Sequence, residues 1–307
     1  EKKKANVLGR KSYEIFFINN GTISCATAIM GVVNKYKENN LKNKNYIKPH
    51  IITSNIEHSS VLENIKYLEK INEIEATYIN CDENGLISPE FIKKEIKENT
   101  ILISIMYVNN EIGVIQEIKN ISKKIKENKK ENKKGIVDYP YFHTDAAQAP
   151  NYVSLYIDML GVDMLSLNGS KICGPKSSAI LFKKEYVNIS PIYFGGGQER
   201  NIFSGTQDIE KAIGIALAIE KAQENSKNEK LLEGIATLRN SLLKNILNNI
   251  KEAKLNGYFN ENEWKSKKQN IKREDRNPKR VPSNISVWLP DFPSDEMIIR
   301  LDKRGFA

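Results

Sequence analysis

The stretch Asp163-Met164-Leu165-Ser166-Leu167-Asn168-Gly169-Ser170-Lys171, followed by Ile172-Cys173-Gly174-Pro175, decides the reading of this chain. Its first half has the apolar density of a buried strand. Its second half is a turn, marked by Gly169 and by Gly174-Pro175. One lysine, Lys171, is thereby delivered into a tight turn at a strand end. An earlier run, His143-Thr144-Asp145, delivers an acid to a strand end of its own. A lysine so placed can form a Schiff base, and an aspartate can hold a protonated ring nitrogen.

Working outward, strands and helices alternate. Strand-like runs cover Tyr13 to Ile18, Pro49 to Thr53, Ala76 to Asn80, Ile101 to Tyr107, Tyr141 to Thr144, Met164 to Leu167 and Ala179 to Phe182. Helical runs start at Gly21, His58, Ser88-Pro89-Glu90 and Ile118, the last expected to dissolve into a lysine-rich run at Lys126. Such alternation predicts an α/β fold, with a mostly parallel sheet and helices on both faces. From Gln207 onward two long helices follow, then a strand over Asn284 to Leu289 and a last helix from Ser294. A boundary near residue 225 divides a large domain, 1–225, from a smaller α+β domain, 226–307. The segment from Asn260 to Pro282 is rich in Asn, Lys and Glu and reads as a polar insertion.

The 307 residues are 40% hydrophobic and 28% charged, ordinary for a globular protein, and no apolar run reaches the length of a membrane span. No signal peptide is visible. Cys25, Cys81 and Cys173 lack metal-ligand spacing and are odd in number, which points to a reducing cytoplasm. The net charge is +9, with seven lysines against two glutamates between Lys123 and Lys134, and a second basic stretch from Lys265 to Arg280. Neither stretch interleaves aromatics with a basic groove, so solvated surface is expected rather than a nucleic-acid patch.

Five constellations fall at strand ends, where open α/β sheets bind ligands. Asn19-Asn20-Gly21-Thr22 opens a helix whose free N–H groups suit a phosphate, or merely caps it. Glu57-His58 offers an imidazole, catalytic or structural. Val108-Asn109-Asn110-Glu111-Ile112-Gly113 offers amides, or forms an Asx turn. Asp145-Ala146-Ala147-Gln148 offers the acid, with Gln148 one turn on, or an N-cap. Gly195-Gly196-Gly197-Gln198-Glu199-Arg200, then Ser204-Gly205-Thr206, offers a flexible mouth and a donor, Thr206, for a phosphate, or a plain loop. Lysine and aspartate so paired point to pyridoxal phosphate (PLP) chemistry.

Together these segments, with Ser54-Asn55-Ile56-Glu57-His58 and Gly169-Ser170-Lys171-Ile172-Cys173-Gly174-Pro175-Lys176, resemble the PLP-dependent cysteine desulfurases of the class V aminotransferase family, close to the selenocysteine lyases. The resemblance implies a fold-type I transferase. It implies that Lys171 carries the cofactor and moves the substrate Cα proton. Asp145 would partner the pyridine nitrogen, and His58 would stack on the ring and transfer protons. Asn110 and Gln148 would contact the substrate carboxylate or ring oxygen. Gly21 and Thr22, with Asn168 and Ser170 beside them, would hold the phosphate. Thr206 would reach the phosphate of a neighbouring subunit in a homodimer. The implied reaction converts L-cysteine to L-alanine and passes sulfur as a persulfide to an acceptor or scaffold protein, for iron–sulfur clusters or tRNA thiolation. No metal is implied. The sulfur-accepting cysteine is expected outside this chain, which reads as an excerpt; a missing N-terminal segment could carry an organellar transit peptide. Cys173 is expected to be small and buried. Asn168, Ser170 and Phe203 stand where the family usually has Ser or Thr, His, and Arg. Selenocysteine lyase is the alternative activity within the enzyme class, and these departures motivate a further reading, a non-catalytic paralogue that acts as a binding subunit.

Overall fold

The computed structural model describes residues 7–40, 46–131, 139–265, 278–290 and 292–306. Five strands run parallel: β2 (His50–Ser54), β3 (Glu75–Ile79), β4 (Thr100–Ser104), β5 (Tyr141–Asp145) and β6 (Met164–Asn168). Every residue of β2, β4 and β5 is buried, as parallel strands covered on both faces require. β1 (Ile15–Ile18) and β7 (Ala179–Lys183) complete a seven-stranded sheet ordered β1-β7-β6-β5-β4-β2-β3, with β7 antiparallel to both neighbours.

Side chains alternate between the two faces, so Tyr141, His143 and Asp145 share one and Phe142 takes the other. The first face packs against α1 (Gly21–Asn40) and α2 (Ser59–Lys70), through Ala28, Ile29, Val32, Val61 and Ile65. The second packs against α3 (Pro89–Glu95), α4 (Ile118–Glu131) and α5 (Ile157–Leu160), through Ile92, Ile121, Ile125 and Leu160. The α/β sheet with helices on both faces is therefore as expected.

Helix starts follow local capping chemistry. Ser88 accepts from the Phe91 N–H, with Pro89 in the first turn of α3. Asp208 caps α6 (Ile209–Lys227), and Asn228 caps α7 (Glu229–Asn249). α6 leans on the turn that bears Lys171. A side chain at Gly214 would put its Cβ 2.4 Å from the Pro175 ring, so only glycine permits that approach. A two-stranded sheet of β8 (Lys254–Leu255) and β9 (Val287–Trp288), then α8 (Ser294–Asp302), follows. No helix among the described residues is long and apolar enough to cross a membrane.

Three expectations need correction. The strand expected over Asn284 to Leu289 shrinks to Val287–Trp288, because Asn284 is used as a clasp. Its carbonyl and Oδ1 accept from Arg280, and its Nδ2 donates to the Glu111 carbonyl. The strand expected to reach Tyr107 is regular only to Ser104, although the Ile105 and Tyr107 N–H groups still donate to the His143 and Asp145 carbonyls. The lysine-rich run does not dissolve the helix at Lys126; α4 continues to Glu131, with isoleucines inward and Lys124 paired to Glu90 and Glu127. Residues 132–138 of that run lie outside the described residues.

The polar insertion is also not solvated at its end. Arg280 is 1% exposed and donates to the carbonyls of Asn256 and Tyr258 as well as to Asn284. Residues 266–277 lie outside the described residues. Arg280→Ala would strand these buried acceptors. We expect a loss of about 2–4 kcal/mol, read as a lowered midpoint in urea.

Candidate active site

Strand register brings the site together. Ile18, Ala179 and Asn168 lie in one row across β1, β7 and β6, so the start of α1 and the turn after β6 meet at one edge. Asp145 pairs with Ser166, two residues before Asn168. β5 therefore delivers its acid beside the strand that delivers Lys171.

The start of α1 is an open anion cradle. The Asn20 side chain takes the Ile23 N–H at 2.9 Å, and the Asn20 carbonyl takes the Ser24 N–H. The N–H groups of Gly21 and Thr22 belong to the first turn, which has no intrahelical acceptor for them. A Cβ at Gly21 would lie 3.2 Å from Asn168, so the backbone here approaches that side chain closely. Asn168 Oδ1 in turn lies 3.1 Å from Ser170 Oγ and accepts from the Ser170 N–H. Gly21, Thr22, Asn168 and Ser170 thus form one polar rim at the positive end of a 20-residue helix.

Lys171 is exposed in the 3-10 turn Gly169–Ile172 and makes no ion pair among the described residues. The turn ends at Cys173, whose φ of 57° is left-handed. Cys173 is exposed, not buried as expected, because this turn conformation carries its side chain out of the core. Cys25 is the buried thiol, and burial pushes it well up.

Asp145 is 8% exposed, and its Oδ1 accepts from the Ala147 N–H at 2.9 Å. Burial pushes its carboxyl up, and the Ala147 N–H and the nearby His58 only partly offset this. It is a dehydrated acid in want of a cation. His58 is exposed at the start of α2, with its Nδ1 facing the Ser60 hydroxyl at 2.8 Å and accepting from the Ser60 N–H. That anchor directs Nε2 outward.

Below Asp145 runs a polar seam that the sequence motifs did not reveal. His143 Nδ1 meets Ser104 Oγ at 2.9 Å, its Nε2 meets Ser166 Oγ at 3.0 Å, and Ser24 Oγ lies 2.8 Å from Ser166 Oγ. Burial lowers His143 to about 3, so it stays neutral. The period-two pattern of Tyr141, His143 and Asp145 is the signal that could have shown it.

Other expected residues divide. Asn110 is exposed, whereas its neighbour Asn109 is buried, donates to the Ile56 carbonyl and accepts from the N–H groups of Glu111 and Ile112. Asn109 is the Asx turn, and it presents Asn110. Gln148 is half-buried just beyond Asp145. Thr206 is exposed next to Gly205, whose N–H is held by Gln198.

The Gly-Gly-Gly-Gln-Glu-Arg run is not a flexible mouth throughout. Glu199 accepts from the Phe17 N–H, and Arg200 donates to the Ile15 carbonyl while lying over the Phe16 ring at 4.1 Å. These two residues cover the outer edge of β1. Phe203 is buried against Tyr193, edge to face at 5.3 Å, and is a core residue rather than part of a mouth.

PLP has a phosphate, a ring nitrogen that is cationic when protonated, and an aldehyde. The open N-terminal turn of α1, the dehydrated Asp145 and the unpaired Lys171 match these three groups, so the residues present fit the cofactor. No group of three metal-ligating side chains lies together among the described residues.

A model of the class-V aminotransferase family matches residues 1–275. The cysteine desulfurase IscS of Dictyoglomus turgidum is 35% identical over 303 residues, covering 99% of this chain and 67% of that protein. The cysteine desulfurase IscS of Methanosarcina thermophila is 39% identical over 306 residues, covering 99% of this chain and 65% of that protein. The chain thus spans about two thirds of the length of these curated relatives. A solved structure titled NifS-like protein superposes with a TM-score of 0.81 at 30% identity, covering 99% of this chain and 73% of that one. The chain belongs to the class-V aminotransferase family, and within it to the cysteine desulfurases.

Proposed function

We propose that the protein is a PLP-dependent cysteine desulfurase that takes sulfur from L-cysteine, leaves L-alanine and hands the sulfur on as a persulfide. The observation that carries this is the meeting of an open anion cradle, a dehydrated aspartate and an unpaired lysine at one sheet edge, in a chain of this family. One thiol and one cysteine give one persulfide and one alanine, so the reaction balances without an added oxidant.

When bound, PLP would supply an electron sink for the electron pair left when the substrate Cα–H bond breaks. This chain's own residues do the rest. The first turn of α1, with Asn168 and Ser170, would hold the phosphate. Asp145 would accept the ring N–H, and ion pairing would repay the desolvation that now pushes its carboxyl up. Lys171 Nζ would bind the cofactor's carbonyl carbon and, once released by the incoming amine, take the proton from the substrate Cα. His58, fixed through Nδ1, would offer Nε2 above the ring for stacking and proton transfer. Asn110 and Gln148 would orient the substrate carboxylate or ring oxygen. Cys25 is buried and held protonated, which unsuits it as the sulfur acceptor.

The exposed loop bearing Thr206 would serve the phosphate of a second copy in a homodimer. The persulfide would pass to an acceptor or scaffold protein for iron–sulfur cluster assembly or tRNA thiolation. The free cysteines suit a reducing compartment, the cytoplasm or an organelle. We take residues 226–307 as the smaller domain.

Two measurements test this. Protein mixed with PLP should gain the visible absorption band of a lysine-bound cofactor, and Lys171→Ala should lose it. A band that survives in the variant sinks the assignment of Lys171. Asp145→Asn keeps the acceptor for the Ala147 N–H but removes the charge. PLP binding, followed by fluorescence titration, should weaken about tenfold to a hundredfold, and alanine release from L-cysteine by the full-length protein should fall further. Unchanged affinity would remove Asp145 from the cofactor's ring nitrogen.

A further inference from the structure

Glu57 lies beside His58 but takes part in none of the steps above. It is 6% exposed. Its Oε1 accepts from the Ser54 hydroxyl at 2.6 Å and from the Met106 N–H at 2.8 Å. The carboxyl thereby ties the end of β2 to the chain leaving β4. Its Oε2 is buried and has no hydrogen-bond partner. An anion there would carry half its charge on an oxygen closed off from bulk solvent and without a donor from the protein. Its titratable neighbours offer no counter-charge. Asp145, from the end of β5, is an acid that disfavours the Glu57 anion; Cys25, from α1, is a buried thiol; His58 follows on its own loop and is turned toward Ser60.

We propose that Glu57 is a positioning residue: a carboxyl held neutral beneath the cofactor site, which clamps β2 to β4 and leaves Asp145 as the sole anion available to the ring nitrogen. The inference rests on the PLP reading for its second half only. Burial raises Glu57 to about 8, in line with the unpaired Oε2. A second carboxylate in the floor would compete with Asp145 for the ring nitrogen, since like charges at close range push one proton back onto the pair. A neutral acid supplies the clamp without that competition.

The sign of the pH effect follows. In the unfolded chain the carboxyl ionises near its ordinary value of 4.5, while in the fold it keeps its proton to about 8. Between those values the folded state binds more protons, so this group's contribution to stability falls as pH rises. Glu57→Gln keeps an acceptor for Ser54 and Met106 and is permanently neutral.

The experiment is thermal unfolding of the cofactor-free protein from pH 5 to 9, for wild type, Glu57→Gln and Ser54→Ala, with the cofactor's visible band followed over the same range in the loaded proteins. The melting temperature of Glu57→Gln should rise relative to wild type by about 5–10 °C between pH 5 and 8. In Ser54→Ala, loss of a donor to the anion should move the wild-type inflection to higher pH. The loaded wild type should show a pH inflection in the visible band that Glu57→Gln lacks. A constant gap between wild type and Glu57→Gln overturns the proposal. Should Glu57→Gln not fold, Ser54→Ala decides: an upward shift supports the neutral clamp, and an unshifted inflection overturns it. Absence of any visible band in wild type would overturn the PLP reading instead, while the cofactor-free melts still decide the state of Glu57.

Discussion

The site depends on a carboxyl group that has been dried. Asp145 ends a strand whose every residue is buried, and no ion pair reaches it among the described residues. His143, two residues earlier on the same face, is neutral and already engaged at both ring nitrogens by Ser104 and Ser166. An aspartate so placed costs stability until a cation arrives from above. The protonated ring nitrogen of the proposed cofactor would be such a cation, and it would arrive only where the cofactor's remaining groups also found partners. On that proposal, the demands made by one acid would account for where the lysine turn and the helix N-terminus lie.

Register meets those demands. Because β7 is antiparallel to both β1 and β6, Ala179 stands opposite Ile18 and Asn168 at once. The chain leaving β1 and the chain leaving β6 then emerge side by side, which is why Gly21 abuts Asn168. A one-residue slip of β6 would turn Ser166 away from His143 and carry Lys171 off the edge. The hydrogen bonds from Ser24 and His143 to Ser166 therefore hold register as well as satisfying buried polar groups. At the free edge of β1, Glu199 and Arg200 cover the backbone with their side chains. Both residues sit at positive φ, with Asn201 after them, an unfavourable conformation for side chains with a Cβ that only such contacts can sustain.

Much of this was legible in the residues. Continuous apolar runs separated by turn signals marked buried parallel strands, and Lys171, Asp145, His58 and Gly21 fell at strand ends as an open α/β sheet requires. What stayed hidden had no local signature. Asn109 and Asn110 are adjacent and identical in type, and only the packing of Asn109 against Ile56 shows which one anchors the turn. Arg280 looked like part of a solvated charge run because its acceptors, at Asn256, Tyr258 and Asn284, are backbone and amide oxygens with no charge to betray them. Phe203 stood in a polar, glycine-rich stretch, and its burial against Tyr193 is a tertiary fact. Cys173 was misread for the converse reason: a small apolar side chain predicts burial, but its left-handed backbone carries it outward.

The same geometry bears on the three departures from the family's usual residues. Asn168 and Ser170 are not isolated losses, because each is hydrogen-bonded to the other at the rim of the α1 cradle. On the proposed reading the Asn168 Nδ2 group would still donate to a phosphate, and neither side chain carries a charge that must be desolvated when an anion binds. Phe203 removes a cation from the sequence but adds an aromatic contact to the core, so its effect is spent on packing behind the Gly195 loop rather than on the electrostatics of the site. A binding subunit that had abandoned catalysis would have no reason to keep a dehydrated acid, an unpaired lysine and an open helix end at one edge of the sheet. Of the three, the acid is the costly one, because burial disfavours its charged form, and a cation beside it would offset that cost.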